Sequence, residues 1–422
     1  MFTAYATLFR TPGAMKFSIP GIIGRMPVSM DSLALIFIVV AASGSYAIAG
    51  ALSAAASIVV SISMPYWARI CDRIGQRALL FRLVPLKLIG LSIFLALVLN
   101  QAPVWTWFLS IIIAEATSIN LGGLVRRRWL HVLSPDKTIT AEDESDRHVI
   151  NTAYSLEALN DGFVFIVGPI IATACATSIA PTAGLIVGML FLAIGAPLFA
   201  LQRSTEPPAT PTRKIDPHPG VIRIKALQAV VLPTVFVGGF FGAIGIATVA
   251  FTQVYGEKSQ SGLLLAIWAC GSAIAAVING LIKWRFSHAG RFIFFLISLT
   301  LLSIPFLFVD STLTLAIALF CNGFAIAPLI VNAYGVAESA VPPGQITETL
   351  SWVVAGMPLG GALSSAITGW VIDNYGAQTA FWVPLGFMIT AVVATLPYFT
   401  TYKGLIGYSS KHDRATLHRK ER

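Results

Sequence analysis

The chain has few charged residues and few cysteines for its length. Asp, Glu, Lys and Arg make up only 11% of the 422 residues, whereas soluble domains contain about 25%. This composition excludes a soluble globular domain. The four cysteines show no CxxC spacing, and three of them (Cys175, Cys270 and Cys321) lie in apolar stretches. The cysteines therefore do not indicate a disulfide framework.

The sequence also lacks the motifs of common enzyme classes. It contains no HExxH, no GxxxxGK followed by Ser or Thr, no GxSxG that serves a triad, and no His/Cys cluster. We therefore predict no enzyme activity, no metal site and no cofactor. A polytopic membrane enzyme or a receptor is kept as a remote alternative.

Long apolar stretches dominate the chain. Hydrophobic residues make up 56% of it and the mean hydropathy is +0.79. A bilayer core needs about 20 apolar residues per helix. The predicted spans are 20–42, 46–67, 79–99, 103–125, 154–175, 181–201, 227–250, 261–282, 290–309, 312–334, 348–370 and 379–399. The predicted fold is an all-α integral membrane protein with twelve transmembrane helices in two pseudo-symmetric six-helix bundles.

A polar stretch in the middle of the chain divides these spans into two sets of six. Residues 202–226 are rich in proline, threonine and charge, which is typical of a flexible linker. We predict an N-terminal half over 1–201, a cytoplasmic linker over 202–226, a C-terminal half over 227–400 and a basic cytoplasmic tail over 401–422.

Lys and Arg are concentrated in alternate connections between the spans. The second, fourth, sixth and eighth gaps contain several cations each, whereas Lys258 is the only cation in the odd gaps. The tenth gap is an exception, with Glu338 but no cation. Because cytoplasmic loops are enriched in Lys and Arg, we predict a multi-pass protein of the cell membrane with both termini in the cytoplasm.

The net charge of +9 is spread over many short loops rather than over one face. This distribution fits contacts with membrane lipids and does not indicate nucleic-acid binding. The predicted partners are a small-molecule substrate, protons or another coupling ion, and lipids. We expect the protein to be a monomer.

The loop between spans two and three has a recognisable pattern. It resembles the signature Gly-x-x-x-Asp-Arg-x-Gly-Arg-Arg/Lys of the major facilitator superfamily, through Asp72, Arg73, Gly75 and Arg77. Alanine replaces its first glycine, and Gln76 replaces an arginine. A charged turn of this kind can dock on a neighbouring helix end in one conformation, so we predict a gating latch. The alternative is a basic loop that only sets topology.

Glycine–proline motifs occur at corresponding places in spans five and eleven. These are Gly168-Pro169 and the stretch with Gly356, Pro358, Gly360 and Gly361. We predict paired helix breaks, as in related repeats with flexible or closely packed helices. The resemblance extends over most of the chain and is nearest to bacterial drug-efflux-like members. Only the core pair of the antiporter signature is present, which keeps uptake open as an alternative.

Ionisable residues inside predicted spans are candidates for function, because burying a charge in lipid costs at least about 2.5–3.5 kcal/mol. Asp31 lies about 9 Å deeper than Arg25, and Glu115 lies about 18 Å from the start of its span. By the resemblance, helices one and four line the central cavity. Asp31, Glu115 and Arg25 are therefore the candidates for proton or substrate binding. The alternative is a structural pair, or a polar residue in a wet cavity without coupling.

Further charges cluster at the cytoplasmic ends of spans four and five. Glu157 and Asp161 are four residues apart, hence on one helix face, and they are expected to meet Arg126, Arg127 or Arg128 in a gating or structural network. Proton handling is the alternative. All six histidines lie in predicted cytoplasmic segments or at their edges, so a histidine relay within the membrane is not expected.

Aromatic and amide side chains provide candidates for lining the cavity, with packing or lipid contact as the alternative for each. They are Trp268, Trp352, Phe240, Phe241, Asn120, Asn279, Asn322 and Asn332.

The favoured function is proton-coupled export of a small amphipathic or cationic organic solute by alternating access. A nutrient uptake symporter or facilitator is the alternative.

Overall fold

The computed structural model describes residues 8, 11–133, 144–209, 224–255, 258–282, 284, 286–339, 346–398 and 400–402. Every regular element among these residues is helical, so the predicted all-α fold is confirmed. The α-helices are α1 (Ala14–Ser43), α2 (Tyr46–Ile74), α3 (Gln76–Leu99), α4 (Val104–Glu115), α5 (Leu121–Leu133), α6 (Glu144–Ser178), α7 (Ala183–Leu201), α8 (Lys225–Val254), α9 (Ser261–Leu281), α10 (His288–Leu301), α11 (Thr312–Ser339), α12 (Ile346–Tyr375) and α13 (Trp382–Val393).

Most of these helices are long and apolar enough to cross a membrane. Within the described part of the chain, ten helical segments of 19 to 30 residues meet that criterion. The fourth predicted span corresponds to the shorter α4 followed by α5, and the eleventh to α12. Much of the predicted linker (residues 210–223) and of the basic tail (403–422) lies outside the described residues.

The fourth predicted span is a broken helix. Helix α4 ends at Glu115 and α5 begins at Leu121. Two side chains of α2 donate hydrogen bonds to carbonyls at the break: Ser63 Oγ to Glu115 O over 3.3 Å, and Trp67 Nε1 to Ala116 O over 2.6 Å. Glu115 O also accepts from the Ser118 amide over 3.0 Å. Because these donors replace the lost helical partners, the break is tolerated at a depth where no loop was expected.

The described chain divides into two compact units. The first contains Met1–Gly44 and Ile62–Lys214, and the second contains Ser45–Ser61 and Ile215–Arg422. Helix α2 therefore contributes its first part to the second unit and its remainder to the first. In the first unit α1 packs mainly on α7 and α6, and in the second α8 packs mainly on α12.

The first Gly-Pro motif does not interrupt its helix, contrary to the prediction. Helix α6 continues through Pro169. A Cβ on Gly168 would overlap Ser29 Oγ of α1, and that hydroxyl donates a hydrogen bond to Val164 O over 2.8 Å. The glycine therefore allows α1 and α6 to approach closely, and membrane helices tolerate proline where neighbouring groups satisfy the backbone.

The second motif has the same outcome, since α12 continues through Pro358. A Cβ on Gly360 would overlap Val235 O of α8, and one on Gly356 would lie 3.1 Å from the Val235 side chain. A Cβ on Gly361 would lie 3.4 Å from Gly238 O. Small residues here allow two helix backbones to pack together, so the helix break is corrected to a close helix crossing.

Candidate functional site

Three charged side chains of the first unit meet on α1, α3 and α4. Lys87 Nζ lies 3.1 Å from Glu115 Oε2 and 3.7 Å from Asp31 Oδ2. The exposed fractions of these side chains are 13% for Lys87, 19% for Asp31 and 7% for Glu115. The structure thus brings together the two carboxylates predicted from the sequence, with a lysine between them. We call Asp31, Lys87 and Glu115 the charged triad.

Glu115 is the more firmly held of the two acids. Its Oε2 accepts hydrogen bonds from Lys87 Nζ and from Ser118 Oγ, the latter over 2.5 Å. Lys87 Nζ also donates to Ser118 Oγ over 2.9 Å. These contacts form a closed ring of three groups at the break between α4 and α5, so Glu115 and Lys87 support each other.

Asp31 differs from Glu115 in having the longer contact with Lys87 and the larger exposed fraction. A distance of 3.7 Å is beyond ordinary hydrogen-bond length. Asp31 therefore is the member of the charged triad that can change partner at the lowest cost.

The triad contains two carboxylates and one ammonium group. If all three are ionised, the cluster bears one net negative charge in a place largely excluded from solvent. Such a charge is costly at low dielectric unless a further positive charge compensates it. The arrangement can therefore bind one more cation, either a proton or a positively charged group of a solute.

Lys87 was missed by the reasoning from sequence, although a signal for it existed. It lies within the predicted span 79–99, and a lysine inside a span is as exceptional as an acid. Applying the same criterion to cations would have identified it.

Arg25 belongs to a second charged group and is not brought to Asp31. Its Nη2 lies 2.6 Å from Glu157 Oε2, and its Nη1 lies 2.9 Å from Asp161 Oδ1. Arg126 Nη2 lies 2.5 Å from Asp161 Oδ2, and Trp129 Nε1 donates to Glu157 Oε1 over 2.9 Å. These contacts join α1, α5 and α6. The expected meeting of Asp161 with Arg126 is present, and the gating role stays a prediction.

The signature loop lies at the junction of α2 and α3. Asp72 forms an ion pair with Arg127 of α5. Gly75 has φ of 86°, a value that favours glycine. The backbone amide of Arg77 donates to Glu206 Oε1 over 2.9 Å. Arg73 lies in the last turn of α2. The loop is therefore held by Arg127, in the middle of α5, and by Glu206, and the latch role stays a prediction.

Gln76, where the loop departs from the family signature, contacts Arg128. Arg128 Nε donates to Gln76 Oε1 over 2.8 Å, and its Nη1 donates to Gln202 O over 2.9 Å. The guanidinium lies over the Phe199 ring, with Cζ 3.8 Å from the centroid. Burial lowers the pKa of Arg128 to about 10, with Glu206 opposing the shift. Arg128 is therefore still charged at neutral pH, and it joins the start of α3 to the end of α7.

The second half of the chain matches a known family. Residues 234–419 match the model of the Major Facilitator Superfamily. A search of curated protein sequences finds no significant match.

Several solved transporters have the same fold as this chain. One form of the nucleoside transporter NupG aligns with a TM-score of 0.72 and 12% identity, covering 91% of this chain and 99% of that one. A POT family peptide transporter aligns with a TM-score of 0.69 and 12% identity, covering 93% of this chain and 95% of that one. A bacterial homologue of the iron transporter ferroportin, in an inward-facing state, aligns with a TM-score of 0.66 and 13% identity. The alignment covers 91% of this chain and 98% of that one. Residues 234–419 thus resemble the major facilitator superfamily, and the described chain shares the fold of these solved transporters.

Proposed function

We propose that this protein is a secondary active transporter that exports a small amphipathic or cationic organic solute in exchange for protons. It acts as a monomer in the cell membrane, with both termini in the cytoplasm. The transporter fold and the family match support transport. The charged triad supports proton coupling and the charge of the solute.

The single observation behind this proposal is the unequal pairing of Lys87. The lysine holds Glu115 firmly and Asp31 loosely, at 3.1 Å and 3.7 Å. Asp31 is therefore the proposed exchange group, while Lys87 and Glu115 form its fixed electrostatic surroundings. Protonation of Asp31 and binding of a cationic solute both neutralise the same excess charge, so each disfavours the other.

That competition supports exchange rather than joint transport. A site that compensates one excess negative charge favours one cation at a time, and alternating access then moves the proton and the solute in opposite directions. With the proton gradient directed inward, the solute leaves the cell. An uptake symporter would need the proton and the solute to bind together.

The decisive experiment uses purified protein in proteoliposomes with an imposed pH gradient. The panel contains the organic cations ethidium and tetraphenylphosphonium for export, with a nucleoside and a dipeptide for the uptake alternative. We expect gradient-driven movement of the cations against the proton flux, and its loss in Asp31→Asn. Asp310→Asn, at an exposed aspartate, is the matched control.

A second measurement tests the competition itself. When a cation binds the purified wild-type protein in weak buffer, we expect a proton to be released into the medium, and we expect no release from Asp31→Asn. Release that is unchanged in Asp31→Asn would transfer the exchange role to Glu115. Gradient-driven nucleoside or dipeptide uptake, without cation movement, would favour the symporter alternative.

A further inference from the structure

Three aromatic rings of the second unit form one cluster. The Trp268 ring on α9 lies 5.9 Å from Phe240 and 5.4 Å from Phe241 of α8, measured between centroids, and the two phenylalanines lie 5.9 Å apart. Phe240 is fully buried, whereas Phe241 and Trp268 are half-buried. Part of the surface of Phe241 and Trp268 is therefore uncovered.

The orientation of the Trp268 indole is fixed by a buried polar chain. Its Nε1 donates to Asn322 Oδ1 over 3.0 Å, and Asn322 Nδ2 donates to Ser303 Oγ over 3.3 Å. Ser303 Oγ in turn donates to Leu299 O over 2.7 Å. Asn322 and Ser303 are fully buried. A buried amide is costly unless its hydrogen bonds are satisfied, and here satisfying them holds the ring in one position.

The backbone beneath the ring is also held closely. A Cβ on Gly323 of α11 would overlap Trp268 O, and one on Gly271 of α9 would overlap Phe320 O. The two helices therefore approach at the level of Trp268, which limits its movement. The indole is a rigid surface rather than a mobile side chain.

Trp268 lies on the packed side of α9. Leu264 and Ala275, at i−4 and i+7 from Trp268 and so on the same helix face, are buried. Ile274 and Val277, on the other side of the helix, are exposed, as expected for residues in contact with lipid. Trp268 therefore lies on the face of α9 that packs within the protein, and not on the face with the exposed apolar side chains.

A neighbouring glycine on α8 lies beside open space. Gly245 is four residues from Phe241, hence on the same helix face, and a Cβ added to it would meet no atom within 4 Å. Most of the surrounding α8 segment is buried. Open volume therefore lies next to Phe241 on an otherwise packed helix.

We propose that Phe241 and Trp268 form a binding subsite for a planar aromatic group of the transported solute, with Asn322 as the positioning residue for the indole. This inference rests on the proposed function and specifies its substrate class, an aromatic organic cation. Aromatic faces attract flat rings and also cations, and a ring held in place in advance loses no rotational freedom when the solute binds.

The test compares two monovalent probes that differ in aromatic character. Tetraphenylphosphonium carries four rings, whereas tetrabutylammonium carries none. We expect the purified wild-type protein to bind tetraphenylphosphonium about tenfold more tightly. Trp268→Ala removes this preference, and Trp268→Phe, which keeps a ring, retains most of it.

Two further variants keep the proposal falsifiable if Trp268→Ala fails to fold. Asn322→Leu frees the indole and lowers the preference for the aromatic probe without a matching change for tetrabutylammonium. A purely structural role would weaken both equally. Gly245→Phe fills the open space beside Phe241 and blocks tetraphenylphosphonium binding. Gly280→Phe is its control, because a Cβ on Gly280 also meets no atom within 4 Å, at an exposed site.

The subsite proposal is overturned by any of three results. These are no saturable tetraphenylphosphonium binding, equal affinity for the two probes, or a preference that survives both Trp268→Ala and Gly245→Phe. Equal affinity for the two probes, or a preference that survives both variants, leaves the Asp31-dependent proton exchange in place, so the subsite can fail while the proposed function stands. Conversely, aromatic binding without any proton exchange overturns the function and leaves the subsite.

Discussion

Arg25 and Glu157 form a nearly dry ion pair between α1 and α6. The distance from Nη2 to Oε2 is 2.6 Å, and the side chains are 4% and 0% exposed. Asp161 and Trp129 complete the hydrogen bonding of this pair. Charges so deeply buried are tolerated only when their partners are present, so the pair makes the packing of α1 on α6 specific.

Removing one partner of this pair leaves the other charge buried and uncompensated. We expect Arg25→Met to lower the free energy of unfolding by about 3–5 kcal/mol. The measurement is thermal or denaturant unfolding of the purified protein in detergent. Arg203→Met, at an exposed arginine, is the control. A loss below about 1 kcal/mol, the usual range for a surface pair, would contradict a structural role for Arg25.

The triad makes a prediction about charge balance. Lys87→Gln leaves two carboxylates without their cation and is expected to abolish transport and reduce stability. Adding Glu115→Gln restores the original net charge, so the double variant is expected to be more stable than Lys87→Gln alone. A double-mutant cycle of unfolding free energies measures this coupling, which we expect to be about 0.5–3 kcal/mol. Additive effects would mean that the two side chains act independently.

The sequence was informative about the triad's acids but not about their arrangement. Asp31 and Glu115 could be predicted as functional candidates, because each lies deep in an apolar span, where a buried charge is costly. Their shared lysine depends on how α1, α3 and α4 pack, which distance along one helix does not reveal. The break after Glu115 was also hidden, because no glycine or proline lies between residues 104 and 121. The side chains that support it, Ser63 and Trp67, come from α2.

The glycine–proline motifs, too, could be predicted in part from the sequence and in part only from the packing of the helices. Their positions in two corresponding helices were evident from the sequence, and so was close packing as one interpretation. Whether Pro169 and Pro358 would break their helices depends on the neighbouring helix, because Gly168 and Gly360 allow contacts that hold the chain helical. Local propensity alone favours a break.

The Asp72–Arg127 pair gives a prediction about rate rather than affinity. Both side chains are about one-third to two-fifths exposed, at 42% and 34%, so the pair contributes about 1 kcal/mol or less to stability. We expect Asp72→Asn to slow conformational exchange without changing which solutes are transported. Solute counterflow in proteoliposomes measures the exchange rate, and equilibrium binding measures affinity.

The charge-swapped double variant, Asp72→Arg with Arg127→Asp, is the matched test of this contact. It restores an opposite-charge pair and is expected to recover part of the lost turnover. Turnover that is unchanged in Asp72→Asn would reduce the loop to a topology signal.

In the second unit, the start of α2 is capped by a carboxylate from α12. Asp373 accepts hydrogen bonds from Ser45 Oγ at 2.6 Å, from the Tyr46 amide at 2.9 Å and from the Ala47 amide at 2.8 Å. A cap of this kind is worth about 0.5–2 kcal/mol. We expect Asp373→Ala to lower the unfolding free energy by about 1 kcal/mol and Asp373→Asn by less, since an amide oxygen can still accept. Equal losses for both variants would mean that charge, not acceptance, provides the stabilisation.

The crossing of α8 and α12 depends on the absence of a side chain at Gly360. A Cβ there would overlap Val235 O, a backbone atom that cannot move without shifting α8. We expect Gly360→Ala to destabilise the protein by about 1–3 kcal/mol, despite the higher helix propensity of alanine. Gly386→Ala in α13 is the matched control, because a Cβ at that position meets no atom within 4 Å. In Gly386→Ala no steric overlap offsets the gain in helix propensity, so the stability of this variant is expected to stay the same or rise. If unfolding in detergent gave the two alanine variants the same stability, close helix packing would not be the reason for glycine at position 360.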